Sequence, residues 1–271
     1  VAGIMSVLAS ETEQLNAAVD SIYAATLDQS HWPKALERVN NILLANGTCY
    51  VRAIDDGEGV KLPEIREFGL LSRAEIGFDE YERYSKIDPR LPHFRVSTPT
   101  TIITEYDFMS DEEIDHHPFY QEFMAVHDLR YTVATVMPGQ QNDMQALLVM
   151  RSPSEGPPES REMRLGTIIA AHMTRSSEIE RRIAGHVTMQ KMLLDSLDAV
   201  PDGLFVVQGD CRIIHANRRG RALLGGGGPL VDRESVLRPS YVRDQQLWGV
   251  MISSVAKRQA ERMAAPLTMK L

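Results

Sequence analysis

Apolar residues fall at helical spacing near the start of the chain. Leu15, Val19, Ile22 and Tyr23 share one face, and Trp32-Pro33 opens a second helix carrying Leu36, Val39, Leu43 and Leu44. Residues 11–45 are therefore predicted helical, with Asn46-Gly47 as the C-cap. The pattern then changes to that of a strand, Thr48 to Ile54, closed by the turn Asp55-Asp56-Gly57. A helix is predicted over Arg73 to Ser85, stopped near Asp88-Pro89 because a residue before proline disfavours the α region. Thr98 to Ile103 reads as a strand. A polar turn, Met109 to Asp115, leads to a short helix around Pro118 to Val126. Tyr131 to Met137 and Met144 to Arg151, joined by a polar Gly-, Gln- and Asn-containing connection, read as an antiparallel hairpin. Four strands with helices inserted between them predict an α/β (α+β) domain with an antiparallel sheet, and not a helical bundle.

Ser152 to Pro158 (SPSEGPP) is the strongest punctuation in the chain. Residues 159–198 contain no proline and read as one long helix or two stacked ones. Leu165, Ile169, His172, Ser176, Ile179, Ile183, His186, Gln190, Leu193 and Leu197 are spaced alternately four and three apart. Four of these ten positions are small or polar, so a strict coiled-coil seam is not met. Met173, Val187 and Leu194 widen the apolar face, which fits packing on the helix's own domain or on a partner helix. Pro201-Asp202-Gly203 resets the chain. Leu204 to Val207 and Arg212 to Ala216 are predicted strands around the turn Gln208 to Cys211. A helix over Arg218 to Leu224, a Gly225 to Gly228 tract and a helix from Tyr241 to about Arg258 follow. Pro266 to Leu271 begins a strand pattern without a partner, the expectation for a fragment or for strands supplied from elsewhere.

Composition narrows the class. Hydrophobic residues make up 43% and charged residues 24% of 271, the values of a folded globular chain of two-domain size. No apolar run approaches the ~18 residues that span a bilayer. The N-terminus lacks a basic leader, so no signal peptide and a cytoplasmic location are expected. Cys49 and Cys211 form no disulfide framework or zinc pattern. The net charge of −8, from 29 basic and 37 acidic residues, is the wrong sign for a phosphate-binding surface.

Enzyme constellations are missing. There is no GxSxG elbow, and neither cysteine sits in a nucleophile motif. His186 lacks the acidic neighbour and later proline of a phospho-accepting histidine. Asp111, Glu112, Glu113, Asp115, His116 and His117 lack the spacing of a metal shell, and Ser110 with Glu113 instead forms a capping box. Gly225 to Gly228 follows a helix without the GxxxxGK[ST] form and is read as a loop. Arg218, Arg219 and Arg221 are read as a solvated helix face. No catalytic residue and no metal are predicted.

The stretch LLDSLDAVPDGLFVVQGDCRIIHANRRGRALLG, Leu193 to Gly225, resembles a PAS domain: a lead-in helix, "PDG" before a strand, a turn, a second strand and "AN" opening a helix. Asn217 suits the N-cap of that helix. The whole layout is similar to LuxR-type regulators with PAS-like sensory regions. The passages carrying this are "IYAATLDQSHWPKALERV", "YERYSKIDP", "HPFYQEFMAVHDLR", "LLVMRS" and "AAHMTRSSEI". The resemblance implies two PAS/GAF-like sensor domains, 11–152 and 199–271 (the second incomplete), joined by a connecting helix over 159–198. It implies a small-molecule ligand of unknown identity, a homodimer, and DNA binding through a helix-turn-helix domain outside this sequence. Tyr81, Tyr84, Phe119, Tyr120, Phe123 and Tyr131 either wall a ligand cavity or are core and helix surface. Asp88, Arg95 or His127 would supply the cavity's polar groups. Other readings of such a chain are a sensor for a kinase or cyclase output, or a ligand-free protein-interaction module.

Overall fold

A computed structural model describes residues 2–55, 60–69, 78–138, 143–224 and 228–260. The chain divides into two units, Val1–Ala184 and Gly185–Leu271. Residues 225–227 of the glycine tract and the strand pattern at Pro266 to Leu271 lie outside the described residues.

The first unit begins with helices α1 (Ala2–Leu27) and α2 (Trp32–Ile42). The expected C-cap at Asn46-Gly47 is displaced toward the N-terminus. Leu44 takes the left-handed conformation (φ 48°), and the Ala45 N–H returns to the Asn40 carbonyl at 3.0 Å. The chain has to turn this early because Gly47 is already paired in the sheet, with Met150 on one side and Gly69 on the other. Asn46 instead uses its side-chain oxygen to accept the Ser152 N–H at 3.0 Å.

Five strands form one antiparallel sheet: β1 (Gly47–Asp55), β2 (Val60–Gly69), β3 (Ile102–Ile103), β4 (Tyr131–Pro138) and β5 (Asp143–Arg151), in the order β2-β1-β5-β4-β3. The hydrophobic pattern predicts four and misses β2. Its pairing shifts between Arg52↔Glu64 and Ile54↔Lys61, a bulge beside Pro63 that breaks the period-two signature. Proline is tolerated there because β2 is an edge strand. Gly69 ends β2 at φ 80°, where a Cβ would lie 2.3 Å from the Asn46 carbonyl oxygen. The strand predicted over Thr98 to Ile103 shrinks to two residues. Thr98 and Thr101 close a turn instead, with Thr101 N–H bonded to the Thr98 carbonyl at 3.1 Å.

Side-chain alternation divides the core. Tyr50, Val133, Met137, Leu147 and Val149 face α1, α2 and the first part of helix α6 (Ser160–Asp198). Leu165, Ile169 and Met173 of α6 are buried there. Tyr23 hydroxyl and His172 Nδ1 lie 3.0 Å apart, and Glu11 accepts from Arg161 and Arg164 at 2.7 and 2.8 Å. The first part of the four-three seam therefore packs on its own unit, whereas residues 181–193 are exposed. Cys49, Val51, Ala53, Ala146 and Met150 point to the opposite face. There the connection from β2 to β4 lays down α3 (Phe78–Ser85), α4 (Leu91–Val96), α5 (Asp111–His116) and a π-helical turn (Phe119–Met124). The Ser110–Glu113 capping box forms as predicted, with Ser110 N–H to Glu113 Oε2 at 2.8 Å.

In the second unit β6 (Phe205–Val207) pairs with β7 (Ile213–Ala216), followed by α7 (Arg218–Leu223). A second hairpin, β8 (Leu230–Arg233) with β9 (Val236–Pro239), and α8 (Gln245–Ala260) follow. The hairpin escapes prediction because its turn puts Glu234 and Ser235 at positive φ (55° and 66°) in place of the usual Asn-Gly.

Candidate functional site

A cavity of about 80 Å3 opens between the sheet face of the first unit and the helices crossing it. Strand alternation supplies its floor: Cys49, Val51 and Ala53 from β1, Met144, Ala146, Leu148 and Met150 from β5, and Val60, Leu62, Ile65 and Glu67 from β2. The bulge in β2 is what allows both Leu62 and Ile65 to face the same side. Tyr81, Leu91, Phe94, Phe123 and Leu129 form the roof, with Arg90 at one wall. The lining is apolar save for Cys49, Glu67, Tyr81 and Arg90. Burial pushes the Cys49 thiol up to about 12, so it remains neutral.

The polar wall is held from behind. Arg90 donates from Nε to Asp88 Oδ1 at 2.9 Å and from Nη2 to Oδ2 at 2.8 Å, a bidentate pair with both side chains buried. The Arg90 N–H also bonds Asp88 Oδ1 at 2.9 Å, Tyr81 hydroxyl donates to Asp88 Oδ2 at 3.0 Å, and Arg90 Nη1 donates to Thr132 Oγ1 at 3.1 Å. The guanidinium lies 4.6 Å over the Phe119 ring. Burial opposes the charge of Arg90, and the adjacent Asp88 carboxylate outweighs it, so its pKa is raised. Pro89 between the two residues holds the chain in the turn that lets them clasp each other.

Behind this wall Glu105 is buried, and its Oε2 accepts the Thr132 N–H at 2.8 Å. Its Oε1 and the neighbouring Tyr120 hydroxyl are buried, and neither makes a hydrogen bond of normal geometry among the described residues. Burial raises the Glu105 pKa, partly offset by Arg90 and the Thr132 N–H. The folded chain then holds this proton more tightly than the unfolded one. The resulting stability is complete below the ordinary value of 4.5 and is lost as pH rises through the raised value. Glu105→Gln keeps an acceptor for Thr132 and is expected to raise stability at neutral pH and flatten this dependence. Thermal melts of both proteins from about pH 4 to pH 8 check it; an unchanged pH profile would show that Glu105 titrates as it does in the unfolded chain.

Of the aromatic and acidic residues singled out in the sequence, Tyr81 and Phe123 line the cavity. Tyr84 packs on Phe123, ring centroids 5.5 Å apart, and Phe119 and Tyr120 are buried in the core behind the roof. Asp88 does not face the cavity as a free acceptor; it is committed to Arg90 and Tyr81. Tyr131 lies outside the lining, 6.4 Å from Tyr106 and under the Arg130 guanidinium. Arg95 is exposed. His127 Nε2 lies 3.5 Å from Glu80 Oε2. Glu67, Arg90 and the aliphatic floor join the lining without having stood out in the sequence pattern. Among the described residues no group of His, Cys, Asp and Glu is arranged to hold a metal ion, and no helix is long and apolar enough to cross a membrane.

Architecture and lining define an α/β protein with an antiparallel sheet, a covered apolar cavity and a long helix. Residues 191–252 match the PAS domain family. No curated protein matches the chain. Among solved structures, the ligand-binding domain of VqsR from Pseudomonas aeruginosa is similar at 11% identity, covering 61% of this chain and 94% of that one, with a TM-score of 0.44. The N-acylhomoserine-lactone-dependent LuxR-family transcription factor of Burkholderia cenocepacia is similar at 14% identity, covering 65% and 98%, with a TM-score of 0.43. A GAF domain from Pseudomonas syringae pv. tomato is similar at 12% identity, covering 69% and 99%, with a TM-score of 0.41.

Proposed function

We propose that this chain is the ligand-responsive sensory region of a bacterial transcriptional regulator, working in the cytoplasm as a homodimer and acting on a helix-turn-helix domain outside this sequence. The observation that carries the reading is the covered, nearly apolar cavity of the first unit, the form of a small-molecule site. The PAS match at residues 191–252 supports a sensory second domain. The proposed domains are 11–152 and 199–271, with 159–198 as the helix that connects them. In this reading Tyr81 and Phe123 touch the ligand, and Asp88, Tyr84, Phe119 and Tyr120 hold the wall and roof in place. Tyr131 belongs to the same aromatic group but sits at the first residue of β4, outside the lining. The ligand acts by binding one arrangement of the helix more tightly than another. No catalytic step is assigned to any residue.

Native mass spectrometry of the 271-residue chain tests this. The expected spectrum is a dimer carrying extra mass under gentle conditions that disappears on denaturation. A bare monomer that takes up no small molecule would overturn the reading in favour of a protein-interaction module.

A further inference from the structure

The cavity's polar groups are unequal. Tyr81 spends its proton on Asp88, and Arg90 spends Nε, Nη1 and Nη2 on Asp88 and Thr132. Asp88 also cancels the charge of Arg90 at 2.8 Å. The Cys49 thiol is neutral and a weak donor. Glu67 remains. It lies directly opposite Cys49 across the β1–β2 pair, on the cavity face, half-buried. No hydrogen bond or ion pair joins it to another described residue. Among the described residues the cavity wall thus carries one carboxylate that no cation meets, set among aliphatic side chains. A carboxylate in such a place is costly unless a partner meets it, and burial raises its pKa accordingly.

From this juxtaposition we infer that the ligand is an apolar molecule bearing a protonated amine, and that Glu67 is the residue that selects it. The inference rests on the cavity being the sensory site. The apolar body of the ligand replaces water over Val51, Leu62, Ile65, Met144 and Leu148, and its ammonium group meets the Glu67 carboxylate at the edge-strand side. An acidic ligand finds no free cation in the described lining, because Arg90 is already paired, and is repelled by Glu67. A neutral alcohol gains the burial but only an ordinary hydrogen bond.

Isothermal titration calorimetry with octylamine, octanol and octanoate, on the 271-residue chain and on Glu67→Gln, tests the assignment. The expected result is octylamine binding roughly tenfold or more tighter than octanol, octanoate weakest, and the amine preference falling to about twofold in Glu67→Gln. Equal binding of octanol or octanoate by the unaltered chain overturns the inference and leaves the sensory reading standing. So does an amine preference that survives in Glu67→Gln. Binding of none of the three overturns both, since the cavity would then not admit a small apolar molecule. The comparison among probes on the unaltered chain stands even if the variant folds poorly.

Discussion

Asp88→Ala is expected to destabilise the first unit by about 3–5 kcal/mol, the usual cost of removing one partner from a buried ion pair. The reason is what it leaves behind. Arg90 cannot shed its proton and cannot reach solvent, since its side chain is only 3% exposed. Three of its donors, Nε, Nη2 and the backbone N–H, and the Tyr81 hydroxyl lose their acceptor together. Urea denaturation followed by Trp32 fluorescence in a Trp248→Phe background reads the first unit, because Trp32 is buried there and stacks on Tyr50 at 4.6 Å. Replacing both partners, Asp88→Leu with Arg90→Met, is expected to cost far less, because an apolar pair of similar size leaves no buried charge unpaired. A single variant within about 1 kcal/mol of the parent would mean that water reaches Arg90. The experiment also bears on the cavity: with Asp88 gone, the Arg90 charge is no longer cancelled, and the preference among octylamine, octanol and octanoate should shift toward octanoate.

Asp88 also shows where sequence reading stops. Its position before Pro89, at the end of a helix with two tyrosines, marks it as a polar residue of the roof. Nothing in the spacing tells whether its carboxylate faces the cavity or turns back on Arg90 two residues later, a choice made by the tertiary packing of Phe119 and Thr132 around the guanidinium. The aromatics of the roof, Tyr81 and Phe123, and those buried behind it, Phe119 and Tyr120, are legible because they stand out in a chain with 6% aromatics. The floor is not. Val51, Ala146 and Leu148 have the same alternation as Tyr50, Leu147 and Val149, and only the stacking of layers decides which face packs solidly against its helices and which leaves a cavity beneath them. Glu67 is hidden further, in the strand whose bulge at Pro63 erases the period-two signal. Tyr131 illustrates the opposite error: an aromatic at a strand start is on the right sheet but at its end, beside Tyr106. The long helix was legible from its lack of proline; that its first part would bury against α1 and the sheet depends on contacts far away in sequence.

In the second unit the largest effect is expected at Asn217, which is fully buried. Its predicted role as N-cap holds, with Oδ1 accepting the Gly220 N–H at 2.7 Å. The same oxygen also accepts the Leu204 N–H at 2.9 Å, and Nδ2 donates to the carbonyls of Leu197 and Asp202, each at 2.9 Å. One side chain therefore ties the end of α6, the turn after Pro201, the approach to β6 and the start of α7. Gly220 permits this closeness, since a Cβ there would lie 2.8 Å from the Leu204 carbonyl oxygen. Asn217→Ala would leave four backbone groups, one buried and three partly buried, without this partner, and a loss of about 2–4 kcal/mol is expected. Hydrogen exchange of the Leu204 and Gly220 amides measures it directly, since both should lose protection along with the rest of the unit. Asn217→Ser separates the two roles: it keeps a cap for Gly220 and should recover only about 1 kcal/mol. Full recovery by serine would reduce Asn217 to a helix cap. Partial recovery, with Leu204 still exchanging fast, would identify it as the fastener of the whole turn.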